Sequence, residues 1–120
     1  MGYMDFVQAL RNLGYEVDDL GNNRVAFKYL IPVGKFLGQE INLGFEVPGD
    51  FSLSPPGGPH MSPHLLPINA VAGTHPNCGV HQSPFGQSWQ YWSRPFPEWP
   101  KTDRTVRTYM AHIKHLFDTQ

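Results

Sequence analysis

Between Ser54 and Pro67 the chain carries Pro55, Pro56, Gly57, Gly58, Pro59, Pro63 and Pro67. Proline fixes φ and supplies no backbone N–H, so this stretch admits little regular structure. It is predicted to be an ordered, extended surface loop, pinned to a core by Leu65, Leu66 and Ile68. Regular elements must then lie mainly on either side of it. A chain of 120 residues has room for one domain and one core, and the domain is taken as 1–120.

On the N-terminal side, Phe6, Ala9, Leu10 and Leu13 recur at helical spacing, which predicts a helix from about Tyr3 to Leu13. Asp5 is a candidate cap, and Gly14 stands where a left-handed C-terminal cap belongs. Val25, Phe27, Tyr29 and Ile31 alternate with Arg24, Ala26, Lys28 and Leu30, the period of a strand, after the turn signal Gly21-Asn22-Asn23. Ile41, Leu43, Phe45 and Val47 alternate with Asn42, Gly44 and Glu46. The short connection between the two runs predicts an antiparallel hairpin. Pro48-Gly49-Asp50 ends the second strand, and Phe51 and Leu53 are expected to start a third. Asp18 and Asp19 are adjacent acids before a turn, with no paired acid–base role.

On the C-terminal side, Val106, Tyr109, Met110, Ile113 and Phe117 form one clean helical face, with Thr102 and Asp103 opening the helix and Thr102 its expected N-cap. The order is therefore helix, strands, long loop, helix. That is an α+β layout with helices packed on one face of a small antiparallel sheet.

Charge excludes one function class. The formal net charge is −1, and phosphate backbones need a basic face. Lys101, Arg104, Arg107 and Lys114 make a modest cluster, read as a solvated helix face. No glycine loop of the phosphate-cradling kind is present, so no nucleotide cofactor is expected. Cys78 is the single cysteine and cannot form an intrachain disulfide, which fits a reducing compartment. With no signal-peptide pattern and no long apolar run, a cytoplasmic location is expected.

Three local features then fall in a telling order. Val47-Pro48-Gly49-Asp50-Phe51 is followed by Pro55-Pro56; His75-Pro76-Asn77 comes next; Trp99-Pro100 precedes a turn and an amphipathic helix. In this order they resemble the ubiquitin-conjugating (UBC-like) fold. Trp89-Gln90-Tyr91-Trp92-Ser93-Arg94, followed by Trp99, is similar to the bacterial UBC-like proteins of prokaryotic family E. Those are typically encoded beside ubiquitin-like, activating-enzyme-like and deubiquitinase-like proteins. The resemblance covers roughly Phe6 to Phe117 and implies a ubiquitin-like protein and an activating-enzyme-like protein as partners.

It also implies a thioester-forming cysteine. In the classical family that cysteine lies several residues after His-Pro-Asn. Here Cys78 follows the tripeptide directly, then come Gly79 and Val80, and His81 stands where a cysteine is looked for. Two outcomes follow from the resemblance. Either Cys78 is the nucleophile, with Asn77 as oxyanion donor and His75 or His81 in support, or the chain is an inactive variant that binds its partners.

Other side chains offer weaker chemistry. His75, Cys78 and His81, with His60 and His64, are zinc-type ligands, but their spacing matches no common structural zinc motif, and no metal is expected. Ser83, Ser88 and Ser93 lack a base that the sequence can place. Phe85, Trp89, Tyr91, Trp92, Phe96 and Trp99 either cap the sheet as core or form a protein-binding surface. On the second reading the partner-binding residues are Trp89, Trp92, Arg94 and Trp99.

Overall fold

A computed structural model describes residues 2–66 and 79–119. Helix α1 (Tyr3–Asn12) leads into strands β1 (Asp18–Gly21), β2 (Arg24–Leu30), β3 (Glu40–Glu46) and β4 (His60–Ser62). Then come the hairpin strands β5 (Val80–Gln82) and β6 (Gln90–Trp92), a 3-10 turn at Trp99–Lys101, and helix α2 (Val106–Thr119). The chain is α+β, with one six-stranded antiparallel sheet in the order β1-β2-β3-β4-β6-β5. No helix among the described residues is long and apolar enough to cross a membrane.

α1 ends as its sequence predicts. Gly14 takes φ +100°, the Gly14 N–H donates to the Arg11 carbonyl, and the Tyr15 N–H donates to the Leu10 carbonyl. These are the paired bonds of a Schellman C-terminus, which needs a residue free of a Cβ penalty at this point. The expected Asp5 cap is corrected: Gly2 stands at the N-cap with no side-chain cap bond, and Asp5 lies in the first turn, where a carboxylate favours the helix dipole.

Period two decides which side chains of the long strands meet the helices. Val25, Phe27 and Tyr29 of β2 and Ile41, Leu43 and Phe45 of β3 all point inward and are buried. The Phe45 ring lies edge-on to Phe6 of α1 at 5.7 Å and to Tyr109 of α2 at 5.3 Å, so both helices cover the same face. Val106, Tyr109, Met110, Ile113 and Phe117 are all buried, as their spacing predicts. Each such ring or branched side chain removed from water stabilises the fold by about 2 kcal/mol.

The middle of the chain departs from expectation. His60–Ser62, between Pro59 and Pro63, forms β4 and pairs with β3 from Asn42↔Ser62 to Gly44↔His60. Three residues between prolines keep their N–H groups, and that is enough to add one rung pattern to a sheet. Pro56, Gly58 and Pro59 are buried, so this stretch is not a surface loop. Phe51 starts no strand; it sits in a turn with its ring buried against Phe6 at 5.0 Å, and Leu53 is exposed. Asp18 and Asp19 are not merely pre-turn acids but begin β1.

The start of α2 is also corrected. Thr102 closes the 3-10 turn, and Arg104 at φ +56° breaks the run before the helix begins. Thr105 caps it instead, its Oγ1 accepting the Thr108 N–H at 3.2 Å. The Asp103 carboxylate accepts from Thr105 and Thr108, which holds its pKa below the usual range.

Candidate functional site

Among the described residues no helix lies on the outer face of the sheet. Directly paired residues of neighbouring strands share a face, so the register His81↔Tyr91, Tyr91↔His60 and His60↔Gly44 builds one row across four strands. The rings stack along that row: His81 on Tyr91 at 6.2 Å and Tyr91 on His60 at 4.5 Å. Gly44 leaves the next place empty of side chain, and Phe85 fills it from the β5–β6 connection, stacking on His60 at 4.4 Å. A Cβ at residue 44 would stand 2.6 Å from the Phe85 ring, so glycine is what admits that ring. Arg24 covers Phe85 from above at 5.6 Å and pairs with Glu46 at 3.0 Å.

His60 is therefore clamped between two rings and is 3% exposed. Its Nδ1 lies 2.7 Å from Ser83 Oγ. Ser83 Oγ also accepts the Phe85 N–H at 3.0 Å, so one hydroxyl ties the histidine ring to the turn that carries Phe85. Burial, which disfavours the charged ring, pushes the His60 pKa down to about 4; Glu46 acts weakly against this and Arg24 with it. The imidazole is neutral at pH 7. It walls one side of a cleft of about 350 Å³ together with Tyr91, Asn22, Asn23, Glu46 and Gly57.

The structure thus pairs a serine with a histidine base, which sequence reading could not do. His60 and Ser83 lie 23 residues apart and are joined only by strand register. The pairing serves orientation rather than nucleophilic attack. Ser83 is 4% exposed, does not line the cleft, and its Oγ caps the turn that delivers Phe85.

His75, Asn77 and Cys78 lie outside the described residues, and what can be stated concerns the residues on each side. Before them, the buried side-chain amide of Gln90 accepts from the Leu65 and Leu66 N–H groups at 2.9 and 3.1 Å and donates to the Leu66 carbonyl at 2.6 Å. After them, Gly79 takes φ +77°, and a Cβ there would meet Arg94 Nη1 at 2.9 Å. The Ser93 N–H donates to the Gly79 carbonyl at 2.8 Å. His81 is exposed on β5, one ring along from Tyr91.

The four aromatic-segment candidates separate. Trp92 (0% exposed) and Trp99 (1%) are core, which corrects their assignment to a partner surface. Trp92 packs on Phe117 at 5.5 Å and donates from Nε1 to Gln90 Oε1 at 3.0 Å. Trp99 donates from Nε1 to the Ser52 carbonyl at 2.9 Å and packs on Phe51, Phe96 and Tyr109. The reason is alternation: on β6, Gln90 and Trp92 point inward and Tyr91 outward. Trp89 and Arg94 are half-buried, Trp89 beside Phe85 at 5.1 Å and Arg94 over Trp92 at 5.9 Å.

No group of three metal-type ligands is assembled among the described residues. His60 holds Ser83, His64 donates from Nε2 to the Trp89 carbonyl at 3.0 Å, and His81 stacks on Tyr91. Comparison with family models, with curated proteins and with solved structures finds no match for this chain.

Proposed function

We propose that this chain is a UBC-like component of a bacterial ubiquitin-like modification system, acting as a binding partner of its ubiquitin-like and activating-enzyme-like proteins. One observation carries this reading. Strands β1 to β4 lie side by side in chain order, with the N- and C-terminal helices on one face, and Pro55-Pro56 between β3 and β4. His75-Pro76-Asn77-Cys78 stands in sequence just ahead of the β5–β6 hairpin. That order of elements and motifs is the order on which the resemblance rests. The test is reconstitution with the ubiquitin-like and activating-enzyme-like proteins of the same source. Stable co-purification without a covalent adduct is the expected result. Loss of modification in the full system on Cys78→Ala would sink the non-catalytic role.

A second reading, thioester formation on Cys78, is favoured by a separate observation. The Arg94 guanidinium lies against Gly79, the next residue in sequence after Cys78. A cation near a thiol lowers its pKa and raises its thiolate fraction. On this reading the same reconstitution gives a thiol-sensitive adduct on non-reducing gels, absent in Cys78→Ser. Arg94→Ala then moves the pH profile of adduct formation upward, whereas a purely binding role leaves no such profile to move.

A further inference from the structure

Among the described residues one edge of the sheet is only half paired. β1 covers β2 from Gly21↔Arg24 to Asp18↔Ala26 and no further, while β2 continues to Leu30. The direction of each main-chain group on β2 can be worked out. The Ile31 N–H donates to the Gln39 carbonyl, the Gly38 N–H donates to the Ile31 carbonyl, and the Asn23 carbonyl accepts the Val47 N–H. The β2–β3 register between those points is unbroken. Main-chain groups alternate along a strand, so odd-numbered residues bond toward β3 and even-numbered ones toward the opposite edge. Arg24 and Ala26 meet β1 there. Lys28 and Leu30 have no main-chain partner on that edge among the described residues.

The chain just before β1 turns away from them. Tyr15 lays its ring on Phe27 at 4.7 Å and near Tyr29 at 6.2 Å instead of continuing the ladder. At the Leu30 end of this edge lies a cleft of about 550 Å³ with Leu13, Tyr15, Tyr29, Leu30 and Met110 in its wall. Arg107 and Lys114 of α2 stand in the same lining, which contains no carboxylate. They are two helical turns apart, about 10 Å along the axis. Neither is in an ion pair among the described residues. Leu30 is 61% exposed.

We propose that this edge binds an extended acidic peptide, which adds a strand to β2 through the main chain of Lys28 and Leu30. Backbone pairing supplies the register, an apolar side chain of the peptide sits against Tyr15, Tyr29 and Met110, and its carboxylates meet Arg107 and Lys114. Arg107 and Lys114 are the charged residues in the lining of this cleft and select the sign of the side chains that enter it, whereas Glu16 and Asp18 stand with Lys28 in a separate cleft and disfavour acids there. The surface lies at the opposite side of the sheet from β5, and it does not rest on the conjugation reading.

The probe is a short synthetic peptide with glutamate, valine and glutamate at every second position and threonine between them, so that all three fall on the face toward the cleft, with its lysine-for-glutamate counterpart as control, followed by amide NMR of the full chain. The expected result is slowed hydrogen exchange at Lys28 and Leu30, shifts at Tyr15 and Met110, and at least tenfold weaker binding of the lysine peptide. Arg107→Glu with Lys114→Glu, both exposed and outside the core, reverses that preference. Leu30→Pro removes an N–H that faces the open edge, a position where a strand tolerates proline, and abolishes binding in a folded protein. Four outcomes overturn the proposal: no binding of the acidic peptide; equal binding of the two peptides; shifts on α2 without protection of Lys28 and Leu30; or protection of those amides by self-association without peptide.

Discussion

Protonating His60 is expected to unload a measurable part of the fold. The ring lies between Phe85 and Tyr91, and its pKa falls from 6.5 to about 4 because the charged form cannot be solvated there. As pH drops through 6.5 the unfolded chain takes up the proton, while the folded chain refuses it until about 4. The unfolded state binds more protons throughout that window, so stability falls with pH and then levels off. At about 1.4 kcal/mol per pKa unit, about 2 kcal/mol is lost by pH 5 and about 3 kcal/mol by pH 4. Urea denaturation between pH 7 and pH 4, run on the native chain and on His60→Phe, isolates the effect. The variant keeps a ring in the stack but has nothing to protonate, so subtraction removes the carboxylates and the half-buried His112, whose pKa is also lowered. An NMR titration of the His60 ring in the native chain needs no variant at all. A His60 pKa near 6.5, or the same pH slope in both proteins, would refute the argument that ring burial controls this histidine.

Three further substitutions test the packing of the sheet and the cap of α2. Gln90→Leu leaves the Leu65 and Leu66 N–H groups, the Leu66 carbonyl and the Trp92 indole N–H without their shared partner, and lowers unfolding stability by about 3 kcal/mol or more in urea melts. Gly44→Ala puts a methyl 2.6 Å from the Phe85 ring and 3.0 Å from the Val25 carbonyl; it costs about 1–3 kcal/mol, and the displaced ring lets the His60 pKa rise toward 6.5 in the same NMR titration. Thr105→Ala removes the cap of α2 and lowers stability by about 1 kcal/mol in thermal or urea melts, whereas Thr102→Ala, if it were the cap, would do so instead.

The division between what was legible in the chain and what was not follows segment length. α1, β2, β3 and α2 each run for seven residues or more, long enough for a period to declare which face is buried. β4, β5 and β6 have three residues each, too few to show alternation, and β1 is exposed at every position. The same limit governs the candidate site. Whether Trp92 was core or surface depended on which residues of a three-residue strand face the helices, and that is settled by the pairing of Gln90 with Met61. The His60–Ser83–Phe85 arrangement carries no local motif, because its members are brought together by register across β4, β6 and β3. His75, Asn77 and Cys78 are the reverse case: a local motif suggests their chemistry, and they lie outside the described residues. The two kinds of information meet on the β5–β6 hairpin. Its inner face holds Leu66 through Gln90, its outer face stacks Tyr91 on His60, and Arg94 beyond it lies against Gly79. A perturbation of this hairpin therefore reaches both flanks of the motif and the buried histidine together. Gln90→Leu and Gly44→Ala act on its two faces separately, and any difference between them in partner binding would identify the face that matters.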